Sequence, residues 1–368
     1  MTHPAGLYIH IPFCRQKCGY CDFASYAGQE NLIDTYLKVL EQEAASYVGT
    51  SFDTLYIGGG TPSLLSVSQL EKLIHILQRY FGPISSFLES TLEANPESLS
   101  TEKLSLLQAH GFKRLSMGLQ SFDNTVLKNI GRVHTVEMFL QAYEQARKIG
   151  FKNINVDLIA GLPAQTETQF LQGLKQLIAL RPEHISVYAL QVEAGTPFYR
   201  QGIEANEDLV RLEWEQTHFR LAEKGYKHYE ISNFATFGQE SRHNLNYWKN
   251  GEYVGVGCAA ASYWNGERRQ NVSSLSEYIQ CMQTGKSPVA QRETLTGKVR
   301  AGERIMLGLR MLDGVILTEQ DKQWFSSEIA DLTARGLVEE KDNLLKLTFE
   351  GMFLANQAFM AFVAPFEI

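Results

Sequence analysis

Short apolar segments of strand character alternate with helical hydrophobic patterns over the first 225 residues. Six segments have strand character, and they are residues 8–13, 54–57, 89–93, 114–119, 153–159 and 184–190. Between them apolar residues recur every three or four positions, as in Leu70, Leu73, Ile74 and Leu77, which predicts amphipathic helices. A regular alternation of strands and helices predicts a parallel sheet.

Residues of unusual chemistry lie at or near the carboxyl ends of five of these segments. They are Cys14, the glycine turn at residues 58–60, Glu93, Gln120 and Asp157. Barrel enzymes build their sites on that face, whereas a doubly wound sheet concentrates such residues at one switch point. The sequence therefore predicts an α/β fold with a partial (β/α)6 TIM-type barrel, and a doubly wound sheet is the alternative.

The alternation fades after residue 225. Residues 229–235 predict one further strand, and residues 251–263 contain more strand-like stretches. Helical patterns, a short hairpin at residues 336–347 and a last helix predict a small winged-helix-like carboxyl-terminal domain. We therefore predict three parts: a core barrel at 1–225, a barrel extension with extra strands at 226–290, and a helical, winged-helix-like domain at 291–368.

Composition narrows the choice of partners and compartment. The 368 residues carry a net charge of −7 and no basic run, which disfavours nucleic acid and anionic membranes as main partners. The apolar run at residues 7–13 is too short for a signal segment or a membrane span. Five cysteines without a secretory segment disfavour a disulfide framework, so we expect a cytoplasmic protein.

Three cysteines lie within eight residues: Cys14, Cys18 and Cys21. Thiolates select zinc, copper(I) or iron–sulfur clusters, and three of them can hold a [4Fe-4S] cube with one iron open. A structural zinc site prefers four ligands in two pairs, and neither His10 nor Asp22 completes a second pair. The spacing favours a reactive cluster, with zinc and reactive or structural thiols as alternatives.

A glycine-rich turn, Gly-Gly-Gly-Thr-Pro, follows the second predicted strand at residues 58–62. Alone, such a run indicates only a tight turn with positive φ. Beside a cluster with an open iron, its backbone carbonyls, amides and the Thr61 hydroxyl can hold the amino and carboxylate groups of an amino-acid cofactor.

The cysteine spacing followed by this turn resembles the radical S-adenosylmethionine (SAM) superfamily. Its members hold a [4Fe-4S] cluster whose electron cleaves SAM to a 5′-deoxyadenosyl radical. The resemblance extends to the branch of oxygen-independent coproporphyrinogen III oxidases and HemW haem chaperones, through residues 92–96, 116–122, 155–163 and 229–235. It implies that Cys14, Cys18 and Cys21 ligate the cluster.

The same resemblance implies a set of residues that bind SAM: Tyr8, Tyr20, Gly59, Gly60, Thr61, Glu93, Gln120, Arg132 and Asp157. The chemistry is consistent, because zwitterionic SAM needs a carboxylate for its ammonium, a cation for its carboxylate and acceptors for its ribose hydroxyls. Taken singly, Glu93 or Asp157 fits a strand-end ion pair equally well. No catalytic residue is assigned.

Two departures distinguish the chain from the decarboxylating oxidases. Phe23 stands where they carry a fourth cysteine, and only thirteen residues precede the first cysteine here. Cys21-Asp22-Phe23 is the pattern of the chaperones. Residues 242–248 also resemble the HNxxYW motif associated with haem in that family, which makes His243 a candidate haem ligand. The alternative is that these aromatic residues belong to a core.

The resemblance implies a haem chaperone of the HemW type with haem as cargo. It would bind a [4Fe-4S] cluster and SAM and deliver haem to haem-requiring apoproteins, with respiratory proteins as one class of client. An electron donor for the cluster and peripheral membrane contact through clients are further implied partners. An oxygen-independent coproporphyrinogen III oxidase and a radical SAM methyltransferase are the alternatives.

Overall fold

The computed structural model of the protein describes residues 5–363, so the outer ends of the first and last predicted domains lie outside the described residues. Six parallel strands form the centre of one large sheet in chain order: β1 Ala5–Ile11, β2 Thr54–Gly59, β3 Glu89–Ala94, β4 Arg114–Gln120, β5 Ile154–Ala160 and β6 His184–Ala189. The order contains no reversal, so the predicted partial barrel is confirmed and the doubly wound alternative is wrong.

Fifteen helices lie in the described part of the chain. They are α1 Ile33–Ala44, α2 Val67–Phe81, α3 Thr101–Ala109, α4 Asn124–Asn129, α5 Val136–Ile149, α6 Glu167–Leu180, α7 Pro197–Arg200, α8 Glu207–Glu223, α9 Arg242–Trp248, α10 Leu275–Gln283, α11 Gly297–Gly308, α12 Glu319–Trp324, α13 Ser326–Ala334, α14 Phe349–Phe353 and α15 Ala355–Met360. Capping boxes start two of the crossover helices, α2 and α6.

The barrel strands alternate between an apolar and a polar side. On β1, Leu7, Ile9 and Ile11 are fully buried in the core that the sheet shares with its helices. Tyr8 and His10 therefore point to the opposite side, because successive side chains alternate along a strand. That side is the lumen of the barrel, and its polar lining provides the chemistry of the site.

The large sheet continues beyond the barrel on both sides with β7 Lys227–Glu230, β8 Asn233–Ala235, β9 Glu252–Val256, β10 Ala261–Trp264, β11 Glu267–Asn271 and β12 Val289–Thr294. Strand β8 pairs with β6, and β9 pairs with β1, so the barrel stays open. The prediction of one strand at residues 229–235 is wrong, because the chain folds back there as the antiparallel strands β7 and β8. Strands β11 and β12 were not predicted, since both are rich in charged residues.

The carboxyl-terminal part has its own apolar core and a small sheet of β13 Val315–Ile316, β14 Val338–Lys341 and β15 Leu344–Leu347. Helix α11, β13, helices α12 and α13 and the β14–β15 hairpin follow one another in the order of a winged-helix-like module. The predicted boundary at residue 290 lies inside β12, which pairs with β11 of the large sheet. The division into three parts stays a prediction.

This module is attached to the barrel through backbone and side-chain contacts. Arg211 of α8 donates two hydrogen bonds, of 2.8 and 2.9 Å, to the Glu350 carboxylate of α14. The backbone N–H of Ile231 donates to the Arg310 carbonyl at 3.0 Å. Within residues 5–363, none of the helices combines the length and the apolar character needed to cross a bilayer.

Candidate cofactor site

The cysteine loop follows β1 and is held in place by its neighbours. Residues Phe13–Cys14 pair in parallel with Tyr26–Ala27. The His10 ring reaches the loop from the lumen side, with Nε2 2.9 Å from the Ala24 carbonyl oxygen. The two ends of the loop are therefore held together, with Cys14 at the first of these fixed points and Cys18 and Cys21 between them.

A cavity of about 380 Å³ lies at the carboxyl ends of the barrel strands. All three cysteines of the loop line it. Eight of the ten residues predicted to bind a cofactor line it as well: Tyr20, Gly59, Gly60, Thr61, Glu93, Gln120, Arg132 and Asp157. Residues that are up to 143 positions apart in the sequence thus meet around one space, which explains why so many strand ends carry polar residues.

The glycine turn allows two parts of the chain to approach closely. Gly59 has a φ of 109°, and a Cβ there would lie 2.5 Å from the His10 ring. A Cβ on Gly60 would lie 2.7 Å from the Phe13 carbonyl oxygen. Side chains at these positions would push the glycine turn away from the cysteine loop.

The sequence suggested that the backbone amides of this turn hold a cofactor, but the structure shows them bonded to other parts of the chain. The Gly59 N–H donates to Glu93 Oε2 at 3.1 Å, and the Gly60 and Thr61 N–H groups donate to backbone carbonyls of residues 11 and 13. The Thr61 hydroxyl lies 3.4 Å from Cys14 Sγ. The amides are therefore used within the chain, and cofactor contacts from this turn would have to come from other atoms.

We expect Gly59→Ala to destabilise the protein more than Gly49→Ala. Both glycines have positive φ, which costs alanine about 1–2 kcal/mol, but the Gly49 site has no heavy atom within 4 Å. The clash with His10 adds about 1–3 kcal/mol at Gly59 alone. Urea unfolding of both variants measures the difference, and equal losses would contradict the role given to this close approach.

Two carboxyl groups face the cavity from β3 and β5, the strands on either side of β4. Glu93 accepts a 2.7 Å hydrogen bond from the Tyr56 hydroxyl, and burial raises its pKa to about 7, with the nearby Asp157 acting in the same direction. Burial also raises the pKa of Asp157, although the Asn155 amide donates to its Oδ1 at 2.8 Å. Burial thus disfavours the charged form of both groups in the free protein, and a bound cation would offset this penalty.

Arg132 provides a positive charge beside the thiols, and Lys17 also lines the cavity. Its Nη2 donates to Asn95 Oδ1 at 2.6 Å and to the Gly118 carbonyl at 2.7 Å, while Nη1 lies 3.7 Å from Cys18 Sγ. A Cβ on Gly118 would lie 3.1 Å from this guanidinium. The cavity therefore holds a cation beside the thiols and two carboxyl groups farther along its wall.

Gln120 reaches the cavity through an unusual backbone conformation. Its φ is 73°, a left-handed value that is costly for a residue other than glycine, and the pairing of β4 with β5 shifts register at the same point. This bulge ends the regular strand next to the cavity. Such a strained position is typical of functional sites.

Tyr8 and His243 do not line the cavity. Tyr8 lies deeper in the lumen, where its hydroxyl is 2.9 Å from His10 Nδ1. His243 is 1% exposed near the amino ends of the strands, with Nδ1 2.8 Å from Thr54 Oγ1 and Nε2 2.8 Å from the Tyr247 hydroxyl. Both of its ring nitrogens are thus bonded within the chain.

Sequence reasoning gave no role to several residues of the cavity wall, among them Asn95 and Tyr188. Asn95 connects Arg132 to the Thr61 hydroxyl, to which its amide donates at 3.1 Å. Tyr188, near the end of β6, also lines the cavity. The strand-end rule would have found Tyr188 if it had been applied to β6, and it would have found Asn95 if it had been extended by two residues past Glu93 on β3.

The residues present fit a [4Fe-4S] cluster with SAM. Three irons of such a cluster each take one thiolate and the fourth stays open, so three thiols around one cavity suit it. Burial raises the pKa of the Cys14 and Cys21 thiols, so iron would replace a proton at each of them. The carboxyl groups and Arg132 offer the opposite charges that the ammonium and carboxylate of SAM require.

The sequence matches two families of known proteins. The Radical SAM superfamily matches residues 8–177, and the HemN C-terminal domain matches residues 295–354. Heme chaperone HemW of Bacillus subtilis (strain 168) is 38% identical over 372 residues, covering 97% of this chain and 98% of that protein. Heme chaperone HemW of Mycobacterium tuberculosis (strain H37Rv) is 33% identical, covering 96% and 93%.

A solved structure has the same fold over nearly the whole chain. It is coproporphyrinogen III oxidase (HemN) of Escherichia coli, described as a radical SAM enzyme, with a TM-score of 0.86 and 26% identity over 98% of this chain and 90% of that one. The radical SAM fold is therefore shared, and membership of this superfamily implies a [4Fe-4S] cluster and SAM. Near full-length identity above 30% decides the branch: the chain belongs to the heme chaperone HemW family of the radical SAM superfamily.

Proposed function

We propose that this protein binds haem and delivers it to haem-requiring proteins, with a [4Fe-4S] cluster on Cys14, Cys18 and Cys21 and SAM in the adjoining cavity. The observation that carries the proposal is this one cavity, which joins three thiols to the predicted SAM-binding residues in a chain related over almost its full length to heme chaperones. A reduced cluster would supply one electron to SAM.

Within the cavity, the chain's own residues have distinct tasks. Glu93 and Asp157 would bind the ammonium and ribose hydroxyls of SAM, and Arg132 its carboxylate, because these are the charges and acceptors that each SAM group requires. Tyr20, Gln120 and the glycine turn would complete the walls.

Coproporphyrinogen oxidation is the second candidate, because the HemN structure matches so closely. The residue after Asp22 argues against it. Phe23 occupies the position at which the oxidases carry a fourth cysteine, and this residue is 66% exposed where it lines the cavity. A thiol is therefore replaced by an exposed apolar ring at the entrance. A radical SAM methyltransferase is the third candidate, and it would need room for two SAM molecules.

We propose the amino-terminal face of the barrel, around α9, as the place where haem binds. Two adjacent cavities of about 440 and 350 Å³ share Leu88, Gly238, Glu240 and Arg242. Leu88 is 56% exposed and the nearby Phe237 is 98% exposed, so apolar surface is available for a macrocycle. Arg242, with Lys113, Lys152 and Lys249, would pair with propionates.

His243 remains the proposed iron ligand from this helix. Because Thr54 and Tyr247 hold both of its ring nitrogens, ligation requires α9 to move out of the lumen first. The proposal also includes acceptor apoproteins, respiratory ones among them, and an electron donor for the cluster. It further includes a cytoplasmic location and membrane contact through clients.

The test combines haem binding with turnover. Anaerobically purified, cluster-loaded protein is titrated with haem and, separately, incubated with reductant, SAM and coproporphyrinogen III. We expect saturable haem binding, no protoporphyrinogen and no methylated product. Protoporphyrinogen formation would establish the oxidase instead. In parallel, His243→Ala should weaken haem binding and shift its Soret band, and unchanged spectra and affinity would remove His243 as the ligand.

A further inference from the structure

Three aromatic rings form a stack in the lumen below the cavity, and the proposed function gives no role to two of them, Tyr8 and Tyr56. The Tyr56 ring lies between the other two. Its centroid is 5.2 Å from that of His243, with 25° between the planes, and 6.3 Å from that of Tyr8, with 29° between the planes. We refer to Tyr8, Tyr56 and His243 as the lumen stack.

The upper side of the lumen stack contacts the cofactor site at two points. The Tyr56 hydroxyl donates to Glu93 Oε1 at 2.7 Å. The Tyr8 hydroxyl is 2.9 Å from His10 Nδ1, and the other nitrogen of His10 is 2.9 Å from the Ala24 carbonyl of the cysteine loop. Each tyrosine thus connects the stack to one part of the site.

The lower side of the lumen stack is fixed by α9. The N–H groups of Arg242 and His243 donate to the Glu89 carboxylate at 2.9 and 3.0 Å, which anchors the start of the helix. There is little free space around the His243 ring, since a Cβ on Gly6 would lie 3.0 Å from its Cε1. The ring therefore has one position while α9 is docked.

We propose that Tyr56 and His243 are positioning residues of the SAM site: the docked His243 ring holds Tyr56 in the orientation that directs its hydroxyl to Glu93. The proposal rests on the proposed binding of SAM by Glu93. In this proposal the His243 ring acts from below the cavity by packing on Tyr56, while its two ring nitrogens are hydrogen-bonded to Thr54 and Tyr247. It also couples SAM binding and the release of α9 to each other, because both change the contacts between His243, Tyr56 and Glu93.

Electrostatics supports positioning through packing rather than charge. Burial lowers the pKa of His243 to about 3, so its ring is neutral. The titratable groups that face Glu93 are Tyr8, Tyr56, Asp157, Tyr188 and Arg114. Of these, Tyr56 donates a hydrogen bond that favours the carboxylate form of Glu93. Loss of that bond, directly or through a displaced ring, therefore raises the pKa of Glu93.

The experiment measures SAM affinity against pH in cluster-loaded protein. Tyr56→Phe should raise the Kd for SAM about tenfold near pH 7 and raise the pH midpoint of binding by about one unit. His243→Ala should act in the same direction, and His243→Phe, which keeps an aromatic ring, should recover most of the affinity. The matched control is Tyr278→Phe, which removes a 2.6 Å hydrogen bond to the buried Glu43 outside the lumen and should leave both values unchanged.

A second readout needs no SAM. The Glu93 carboxyl is titrated by carbon-13 resonance in the full chain, and its midpoint should rise in Tyr56→Phe and His243→Ala. Unchanged midpoints in both variants would overturn the inference. Wild-type protein that fails to bind SAM would overturn the proposed SAM site alone, because the titration still decides whether the stack controls Glu93. If His243→Ala does not fold, Tyr56→Phe and His243→Phe decide both readouts.

Discussion

Replacing Cys14, Cys18 and Cys21 together by alanine is expected to abolish iron and sulfide binding. The three thiols line one cavity, and removing all of them leaves no soft ligand in its described wall. Iron and sulfide analysis after anaerobic reconstitution should give values near zero for the triple variant. SAM binding should weaken as well, because the open iron is part of its site in this superfamily.

The control for this experiment is Cys281→Ser. Cys281 is half-buried on α10 and does not line the cavity, so its loss should leave the iron and sulfide content at the wild-type level. A triple variant that still binds four irons would refute the assignment of the cluster to this loop. Equal losses in both variants would indicate that the assay reports folding rather than ligation.

Glu93→Gln is expected to weaken SAM binding about a hundredfold while making the cofactor-free protein more stable. The variant lacks the negative charge proposed to pair with the SAM ammonium, and removing one partner of a buried charge pair costs several kcal/mol. Isothermal titration with SAM at pH 8 measures the loss. The remaining affinity should no longer depend on the titration of residue 93.

The sign of the stability change follows from the pKa of Glu93, which is raised from 4.5 to about 7 in the folded protein. The folded state therefore holds this proton more tightly than the unfolded state, and stability is lost as the pH rises between these values. A shift of this size corresponds to about 3 kcal/mol, which partial solvent contact in the cavity reduces to about 2 kcal/mol. Urea unfolding should show this gain at pH 8 and none below pH 4.5.

The matched control is Glu213→Gln. Glu213 is fully buried, accepts a 2.7 Å hydrogen bond from the Gly161 N–H, and has a pKa that burial raises to about 7. It lies outside the cavity lining, so its substitution should raise stability in the same pH range and leave SAM affinity unchanged. A Glu93→Gln protein that binds SAM as the wild type does would contradict the place of Glu93 in the site.

The barrel could be predicted from the sequence because its strands are short, apolar and separated by amphipathic helices. All six predicted strands correspond to β1–β6 to within a few residues. The extension could not be predicted in the same way. Arg268 of β11 faces Glu293 of β12, and such cross-strand charge pairs give no apolar alternation to detect. The turn between β7 and β8 is only two residues long, Ile231 and Ser232, and it lies inside the segment predicted as one strand.

The sequence predicted which residues line the cavity better than it predicted how deep in the lumen each residue lies. The strand-end rule placed Glu93 and Asp157 correctly around the cavity, because parallel strands bring their carboxyl ends to one face. It could not show that Tyr8 and His243 lie deeper, since depth in a lumen depends on side-chain direction and on α9. A resemblance to a family shows which residue types are present, whereas the contacts of His243 depend on how α9 packs.

The central position of β1 determines when the cofactor site can form during synthesis. This strand precedes the cysteine loop, yet it pairs on one side with β2 and on the other with β9, where Ala5 is the partner of Glu252. A nascent chain therefore leaves the ribosome with its cysteines hundreds of residues ahead of the strand that completes their support, and domains fold as units during translation. We therefore expect the proposed cluster to be inserted at the end of translation or later, with the emerging thiols kept reduced until then.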